Sequence, residues 1–221
     1  MIVFDLDDTL FPEIDYVHSG YRAIGRELER HGIMSENEAV GFLMASDNTA
    51  RGFDDLSARI LLSHPGSRFD VKWMVDTYRY HTPDICLGKV TESTLAGLRD
   101  KGITLGIITD GRSATQRAKI KALGLDRFIH ADNIVVSSEI GADKTSELPF
   151  ITIAERNPNE RMFMYVGDNP AKDFRWPNSM GWDTVMLLDK GRNIHSQRIN
   201  VPPDYRAHHT ISSITEIALL Q

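Results

Sequence analysis

Two carboxylates one residue apart, Asp5 and Asp7, follow a short apolar run at residues 1–4. Like charges held this close resist joint ionisation unless a cation or a shared proton compensates. Magnesium is bound in proteins by one or two carboxylates together with the phosphate of a substrate. The pair therefore predicts a metal-assisted phosphoryl-transfer site with an aspartate nucleophile; the alternative is a turn or helix-cap cluster at a strand end.

Three further groups of polar residues come after apolar, β-rich runs. They are Thr109-Asp110-Gly111 after a run at 103–108, Lys144 after a run at 134–138, and Asp168 with Asp173 after a run at 162–166. Open α/β sheets bind their ligands at the carboxyl ends of the strands. Three of the four groups lie at such ends, whereas Lys144 opens the stretch that follows its strand.

The elements around these groups predict how they are positioned. From residue 88 onwards, helical and strand patterns alternate, which is typical of a doubly wound parallel sheet. We expect strands at 103–108, 134–136, 162–166 and 184–188. Helices are expected at 91–101, at 113–122, from the Lys144 region to about residue 156, and at 170–180. The tail is expected to add only a short helix near 213–220.

Residues 12–86 show helical periodicity and no strand pattern. Apolar residues recur at three- and four-residue spacing over 14–28, and a capping box at Ser35 opens a second helix. Asp54 or Asp55 is expected to cap a third helix, and a fourth covers 70–80. The stretch 47–52 is either a specificity loop or a polar connector. We predict an α/β fold: a Rossmann-like parallel-sheet core (1–11 and 87–221) with an inserted helical cap (12–86).

The four groups resemble the motifs of the haloacid dehalogenase superfamily, which consists mainly of magnesium-dependent phosphatases. The resemblance extends from residue 1 to about 189. The local pattern of Thr109 to Arg112, followed by 115–120, is most similar to sugar-phosphate and nucleotide phosphatases, including the sialic-acid phosphatase group. The resemblance implies that Asp5 attacks phosphorus and forms an aspartyl-phosphate. It also implies that Asp7 protonates the leaving alcohol and then activates water, a role absent from true dehalogenases.

The remaining site residues are assigned by the same resemblance. Thr109 would donate its hydroxyl to a phosphoryl oxygen, helped by the amides around Asp110 and Gly111, with Asp110 itself a turn or helix-cap residue. Lys144 would neutralise the nucleophile and the transition state. Arg112 either contacts the substrate or belongs to a solvated helix face.

The implied cofactor is Mg²⁺. The resemblance places Asp5, the backbone carbonyl of Asp7 and Asp168 around the ion, with water and the substrate phosphate completing its coordination. Asp173 would support the waters of the metal. That set of ligands suits an octahedral ion that keeps several waters.

Composition limits the classes of partner. The formal net charge is −6 and no run of five basic residues occurs, which disfavours a nucleic acid polymer. No apolar stretch approaches the ~20 residues needed to cross a bilayer, and the start lacks the pattern of a signal peptide. With Cys86 as the single cysteine, no intrachain disulfide can form. We expect a cytoplasmic monomer or homodimer without membrane contact.

The predicted function is a Mg²⁺-dependent phosphatase acting on a small phosphorylated metabolite, either a sugar phosphate or a nucleoside monophosphate. A sugar phosphomutase on the same scaffold would share all four motifs and is the first alternative. A catalytically silent binding protein is the second alternative. Such proteins usually lack one of the motif acids, whereas Asp5, Asp7, Lys144 and Asp168 are all present here.

Overall fold

The computed structural model describes residues 1–220. Within them the chain forms two compact units. One unit combines Met1–Ile14 with the chain from Cys86 onwards, and the other is Asp15–Ile85. The action of the second unit as a cap stays a prediction.

The first unit is built on a six-stranded sheet in the order β3-β2-β1-β4-β5-β6. The strands are β1 (Ile2–Phe4), β2 (Leu105–Thr109), β3 (Ile134–Val136), β4 (Met164–Gly167), β5 (Asp183–Leu187) and β6 (His209–Ile211). Every neighbouring pair is parallel. The strands β1, β2, β3 and β4 are buried throughout, as expected for a parallel sheet covered on both faces.

Register explains how the strand ends meet. Phe4 in β1 lies opposite Ile107 in β2 and Val166 in β4. Because the three strands run in the same direction, the residues that follow each of them emerge at one edge of the sheet. The backbone N–H of Asp5 continues this pairing by donating to the carbonyl of Val166.

The second unit is entirely helical. Its helices are α1 (Glu13–Arg30, which begins in the first unit), α2 (Glu36–Met44), α3 (Thr49–Ser63) and α4 (Val71–Tyr80). The helices α1 and α4 approach closely at Gly20, where an added Cβ would overlap the Tyr78 ring. Ser35 and Asp70 cap α2 and α4 by accepting backbone N–H groups.

The predicted cap of the third helix was wrong. Asn48, and not Asp54 or Asp55, accepts the N–H of Arg51, and α3 begins at Thr49. The reason is the buried face of α3, which already includes Phe53 and therefore starts upstream of the predicted cap. The stretch 47–52 is mostly the cap and the first turn of this helix.

The helices of the first unit are α5 (Lys89–Asp100), α6 (Ser113–Ala122), α7 (Ser137–Ile140), α8 (Leu148–Arg156) and α9 (Arg175–Ser179). One core cluster joins Val3, Phe150, Tyr165 and Trp182 with their apolar neighbours. The helix expected at 170–180 is limited to α9, because the preceding backbone folds around the Asp173 carboxylate.

The tail contributes more than the short helix that was expected. Residues 209–211 form β6, which pairs with β5 and extends the sheet, and Ile214–Leu219 is a 3₁₀ helix with a Ser213–Glu216 capping box. A three-residue strand with two exposed polar positions lacks a detectable period, so only pairing with β5 identifies it. Among the helices of residues 1–220, none is both long and apolar enough to span a bilayer.

Candidate active site

The strand ends of β1, β2 and β4 bring the predicted acids together. A cavity of about 170 Å³ opens at this edge of the sheet. Its lining consists mainly of carboxylates: Asp5, Asp7, Asp8, Glu13, Asp110, Asp168, Asn169, Lys172 and His195. Asp5, Asp7 and Asp168 therefore line the same cavity. This follows from the position of β1 next to β4 in the sheet.

Lys144 lies at the base of this cluster as a buried ammonium group. Its Nζ is 2.7 Å from Asp5 Oδ1 and 2.6 Å from Asp173 Oδ1, and its side chain is 1% exposed. Burial alone would lower the pKa of Lys144, but Asp173 and Asp5 raise it well above its usual value. The lysine is thus a fixed positive charge beside Asp5.

The surroundings of Asp5 and Asp168 do not supply enough positive charge to keep both carboxylates ionised. Burial, together with Asp173 and Asp7, raises the pKa of Asp5 to about 7 although Lys144 lowers it. Burial and the neighbouring Asp5 and Asp173 raise the pKa of Asp168 to about 8. Both groups therefore hold protons that an added cation could displace.

Asp173 is saturated by donors. Its Oδ2 accepts the backbone N–H groups of Asp168 at 3.1 Å and Asn169 at 2.7 Å, and its Oδ1 accepts from Lys144 and from the Tyr165 hydroxyl. A Cβ at Gly167 would lie 2.6 Å from Asp173 Oδ2, so the glycine permits this approach. Through these contacts Asp173 orients Lys144 and the turn that carries Asp168.

The cluster fits a divalent cation. Asp5, Asp168 and Asp173 each offer a carboxylate oxygen within 4.8 Å of the others. Once Asp5 and Asp168 lose their protons, the three carboxylates and the ammonium of Lys144 leave two negative charges, and oxygen ligands are those that Mg²⁺ prefers. The side chain of Asp7 is not part of this set, so its predicted contribution to the metal rests on its backbone carbonyl.

Comparison with known proteins agrees with this geometry. Residues 2–187 match the family described as haloacid dehalogenase-like hydrolase. The glyceraldehyde 3-phosphate phosphatase of Methanopyrus kandleri is 30% identical to this chain, over 98% of this chain and 97% of that protein. The ribulose-1,5-bisphosphate 5-phosphatase of Halopiger xanaduensis is 23% identical, over 98% of this chain and 96% of its own length.

Solved structures show the same fold. The HAD-hydrolase YfnB of Bacillus subtilis, whose structure contains magnesium, has a TM-score of 0.62 and 20% identity, covering 99% of this chain and 96% of that chain. This chain belongs to the haloacid dehalogenase-like hydrolases. The predictions of the family, of the α/β fold and of a phosphoric monoester hydrolase are confirmed.

In this hydrolase the Asp7 carboxylate has two partners that the sequence analysis did not identify. Lys119 Nζ lies 2.6 Å from Asp7 Oδ1, and Gln116 Nε2 donates to Asp7 Oδ2 at 2.8 Å. The ammonium group of Lys119 also lies 3.7 Å from Glu13. Gln116 and Lys119 are three residues apart on α6, and this spacing on one helix face was the available signal.

The predicted phosphate-binding residues of the hydrolase lie around β2. Thr109 is buried, and its hydroxyl accepts from Gln116, while the Gly111 N–H donates to Ser137 Oγ at 2.9 Å. Arg112 is exposed, and neither Arg112 nor Thr109 nor Gly111 is part of the cavity lining. Thr109 and Gly111 therefore make hydrogen bonds that hold the end of β2 in place, and Arg112 does not.

Asp110 connects two other segments of the hydrolase. Its Oδ1 accepts the backbone N–H of Lys144 at 3.1 Å, and its Oδ2 is 3.0 Å from Lys172 Nζ. Both carboxylate oxygens are thus engaged with cationic or N–H groups of the protein. This arrangement supports the turn-residue reading of Asp110, and it positions the loop that carries Lys144.

Proposed function

We propose that this hydrolase is a Mg²⁺-dependent phosphatase that transfers the phosphoryl group of a small sugar phosphate to Asp5 and then to water. The observation that carries the proposal is the contact of the Asp5 carboxylate with Lys144 inside a cluster of acids that fits one divalent cation. A nucleophile beside a fixed positive charge and a cation site is the arrangement that phosphoryl transfer requires.

In the first step an Asp5 oxygen attacks phosphorus and the bond from phosphorus to the substrate oxygen breaks. Asp7 gives its proton to that oxygen, which leaves as an alcohol. Lys144 stabilises the charge on the phosphoryl group, and the Thr109 hydroxyl, which accepts from Gln116, donates to one of its oxygens. A bound Mg²⁺, held by Asp5, Asp168 and the Asp7 carbonyl, would neutralise further negative charge.

In the second step water cleaves the aspartyl-phosphate. The Asp7 carboxylate takes a proton from the water as the water attacks phosphorus, orthophosphate leaves, and the Asp5 carboxylate is restored. Lys119 and Gln116 orient Asp7 for both steps through the contacts described above. The protein thereby uses one acid as nucleophile and its neighbour as acid and base.

Support for a sugar phosphate comes from the relatives. The proteins of Methanopyrus kandleri and Halopiger xanaduensis are named for phosphatase action on glyceraldehyde 3-phosphate and ribulose-1,5-bisphosphate. Both alignments cover nearly the whole chain, so the helical unit is included in the similarity. From these relatives we infer only the substrate class, a sugar phosphate. The experiment below identifies the individual sugar.

The test is a panel of sugar phosphates and nucleoside monophosphates incubated with the protein and Mg²⁺, with released orthophosphate as the readout. We expect turnover by the parent protein and a loss of about 10⁴-fold or more in Asp5→Asn, because the nucleophile is removed. Asp126→Asn, an exposed aspartate outside the cavity, is the matched control and is expected to keep the parent rate.

Each other outcome contradicts the proposal in a defined way. Equal turnover by Asp5→Asn and the parent shows that Asp5 is not the nucleophile. Phosphate release that requires a sugar bisphosphate activator identifies a phosphomutase. Binding of a phosphorylated sugar without any release identifies a catalytically silent protein.

A further inference from the structure

The loop 189–198, which follows β5, contacts the acid cluster although it lies beyond the family match at residues 2–187. The Asp189 carboxylate shapes the loop, since its Oδ1 accepts the backbone N–H groups of Gly191, Arg192 and Asn193 at 2.7, 2.9 and 3.1 Å. Three N–H groups on one oxygen hold this turn in a single conformation. The turn directs the residues that follow it towards the cavity.

Asn193 contacts the carboxylate of Asp168 directly. Its Nδ2 donates to Asp168 Oδ2 at 2.8 Å. A carboxylate that binds a cation is ionised and only accepts hydrogen bonds, so in that state the amide nitrogen and not the amide oxygen must face it. Since one oxygen of Asp168 is engaged by Asn193, the direction of the other oxygen is fixed.

Gln197 holds the backbone of Asp168. Its Nε2 donates to the carbonyl of Asp168 at 2.8 Å and to the carbonyl of Leu187 at 2.7 Å. Its Oε1 accepts the N–H of Asp189 at 2.8 Å. The whole amide is therefore used to connect the turn after β4 with the end of β5.

The middle of the loop is attached on the opposite side of the cavity. The N–H of Ile194 donates to Asp8 Oδ2 at 2.8 Å, and the neighbouring His195 lines the cavity. Asp8 itself has a left-handed backbone, with φ of 57°, and its Oδ1 accepts the N–H of Glu13. The loop is thus fixed at both the β1 and the β4 side of the acid cluster.

We propose that Asn193 and Gln197 are positioning residues that orient Asp168 for the cation. The proposal rests on the proposed function, because it assigns Asp168 to a Mg²⁺ site. The hydrogen bonds of Asn193 and Gln197 fix the carboxylate and the backbone of one ligand before the ion binds. Partners of this kind typically change metal affinity or activity by roughly 10- to 100-fold when they are removed.

The experiment measures Mg²⁺ affinity by calorimetry on the full chain without substrate. Asn193→Ala and Gln197→Ala are each expected to weaken Mg²⁺ binding by roughly 10- to 100-fold. Ser196→Ala is the matched control, since Ser196 is exposed and its hydroxyl accepts the N–H of Arg198 within the loop, and it is expected to bind Mg²⁺ like the parent. Circular dichroism of each variant reports whether the fold is retained.

A second readout separates positioning from a general structural role. If Asn193 and Gln197 act through Asp168, excess Mg²⁺ restores kcat of both variants towards the parent value while KM for the substrate changes little. Loss of kcat that excess Mg²⁺ does not restore overturns the proposal, and so does parent-like Mg²⁺ affinity in both variants. A parent protein that binds no Mg²⁺ instead refutes the proposed function itself.

Discussion

The three acids of the cluster differ in their neighbours, and the neighbours separate their functions. Asp173 accepts from two backbone amides, a lysine and a tyrosine, so its oxygens are occupied by the protein. Asp5 has Lys144 on one oxygen and a long contact of 3.5 Å from the Thr9 hydroxyl on the other, and Asp168 has Asn193 on one oxygen. Asp5 and Asp168 are therefore the better candidates for direct contact with a cation, and Asp173 for support.

At the scale of single residues, the contact of Lys119 with Asp7 leads to a prediction about the leaving group. Lys119→Met keeps the apolar stem but removes the ammonium that holds the proposed acid. We expect kcat/KM for an alkyl phosphate to fall by about 10²-fold, because an alkoxide must be protonated as it leaves. p-Nitrophenyl phosphate, whose nitrophenolate leaves without a proton, is expected to lose much less.

Steady-state kinetics with the two esters gives the measurement, since kcat/KM reports only the steps up to formation of the aspartyl-phosphate. Lys121→Ala provides the control, because Lys121 is exposed on the same helix. Equal losses with both esters would show that Lys119 supports the fold and not the position of Asp7.

At the scale of elements, single helices and loops connect motifs that are distant in sequence. The helix α6 follows β2, yet its Gln116 contacts both Thr109 at the end of β2 and Asp7 after β1. The loop 189–198 does the same for Asp8 and Asp168. The acids that follow β1 are thus held by elements from distant parts of the chain.

The cap of α3 gives a prediction at this scale. Asn48 accepts the N–H of Arg51, which would otherwise be an unsatisfied donor at the helix start. We expect Asn48→Ala to lower the free energy of unfolding by about 1 kcal/mol. Denaturant unfolding followed by circular dichroism measures it. Asp54→Ala, at the position first expected to be the cap, should change stability by no more than about 0.5 kcal/mol; a larger loss there than in Asn48→Ala contradicts the assignment.

At the scale of the whole molecule, the acid cluster makes stability depend on pH and on Mg²⁺. The pKa values of Asp5 and Asp168 rise from 3.8 to about 7 and about 8 on folding. The folded state therefore binds these protons more tightly than the unfolded state, so their contribution to stability is present at low pH and is lost as pH rises through 7 to 8.

We expect the Tm of the metal-free protein to fall between pH 6 and pH 8 relative to an Asp168→Asn variant, which lacks one of these groups. Added Mg²⁺ should raise Tm more at pH 8 than at pH 6, because at the lower pH the ion must displace protons. Thermal unfolding at the two pH values, with chelator or with Mg²⁺, measures both effects. An equal Mg²⁺ gain at the two values would show that these carboxyls are not protonated in the folded protein.

Some features of this protein follow from local sequence. The apolar runs before Asp5, Thr109 and Asp168 are long enough to identify buried strands, and parallel strands end at one edge of a sheet. Those two facts predict from sequence alone that the acids lie at the same edge of the sheet. The helix at 113–122 and the strand at 134–136 were predicted with the bounds that the structure shows, because Gly124 marks the end of the helix and three consecutive β-branched residues mark the strand.

Other features exist only in the folded chain. Lys119 contacts Asp7 across 112 residues of sequence, and Asn193 contacts Asp168 across 25. The spacing of Gln116 and Lys119 places both on one face of α6, but nothing local shows that this face meets Asp7, and nothing in the loop 189–198 distinguishes Asn193 from a solvated residue. Their partners depend on how helices and loops pack on the sheet, which is set by the sum of many contacts and not by local pattern. The sequence alone therefore located the acids, and the tertiary structure alone decided which residues hold them.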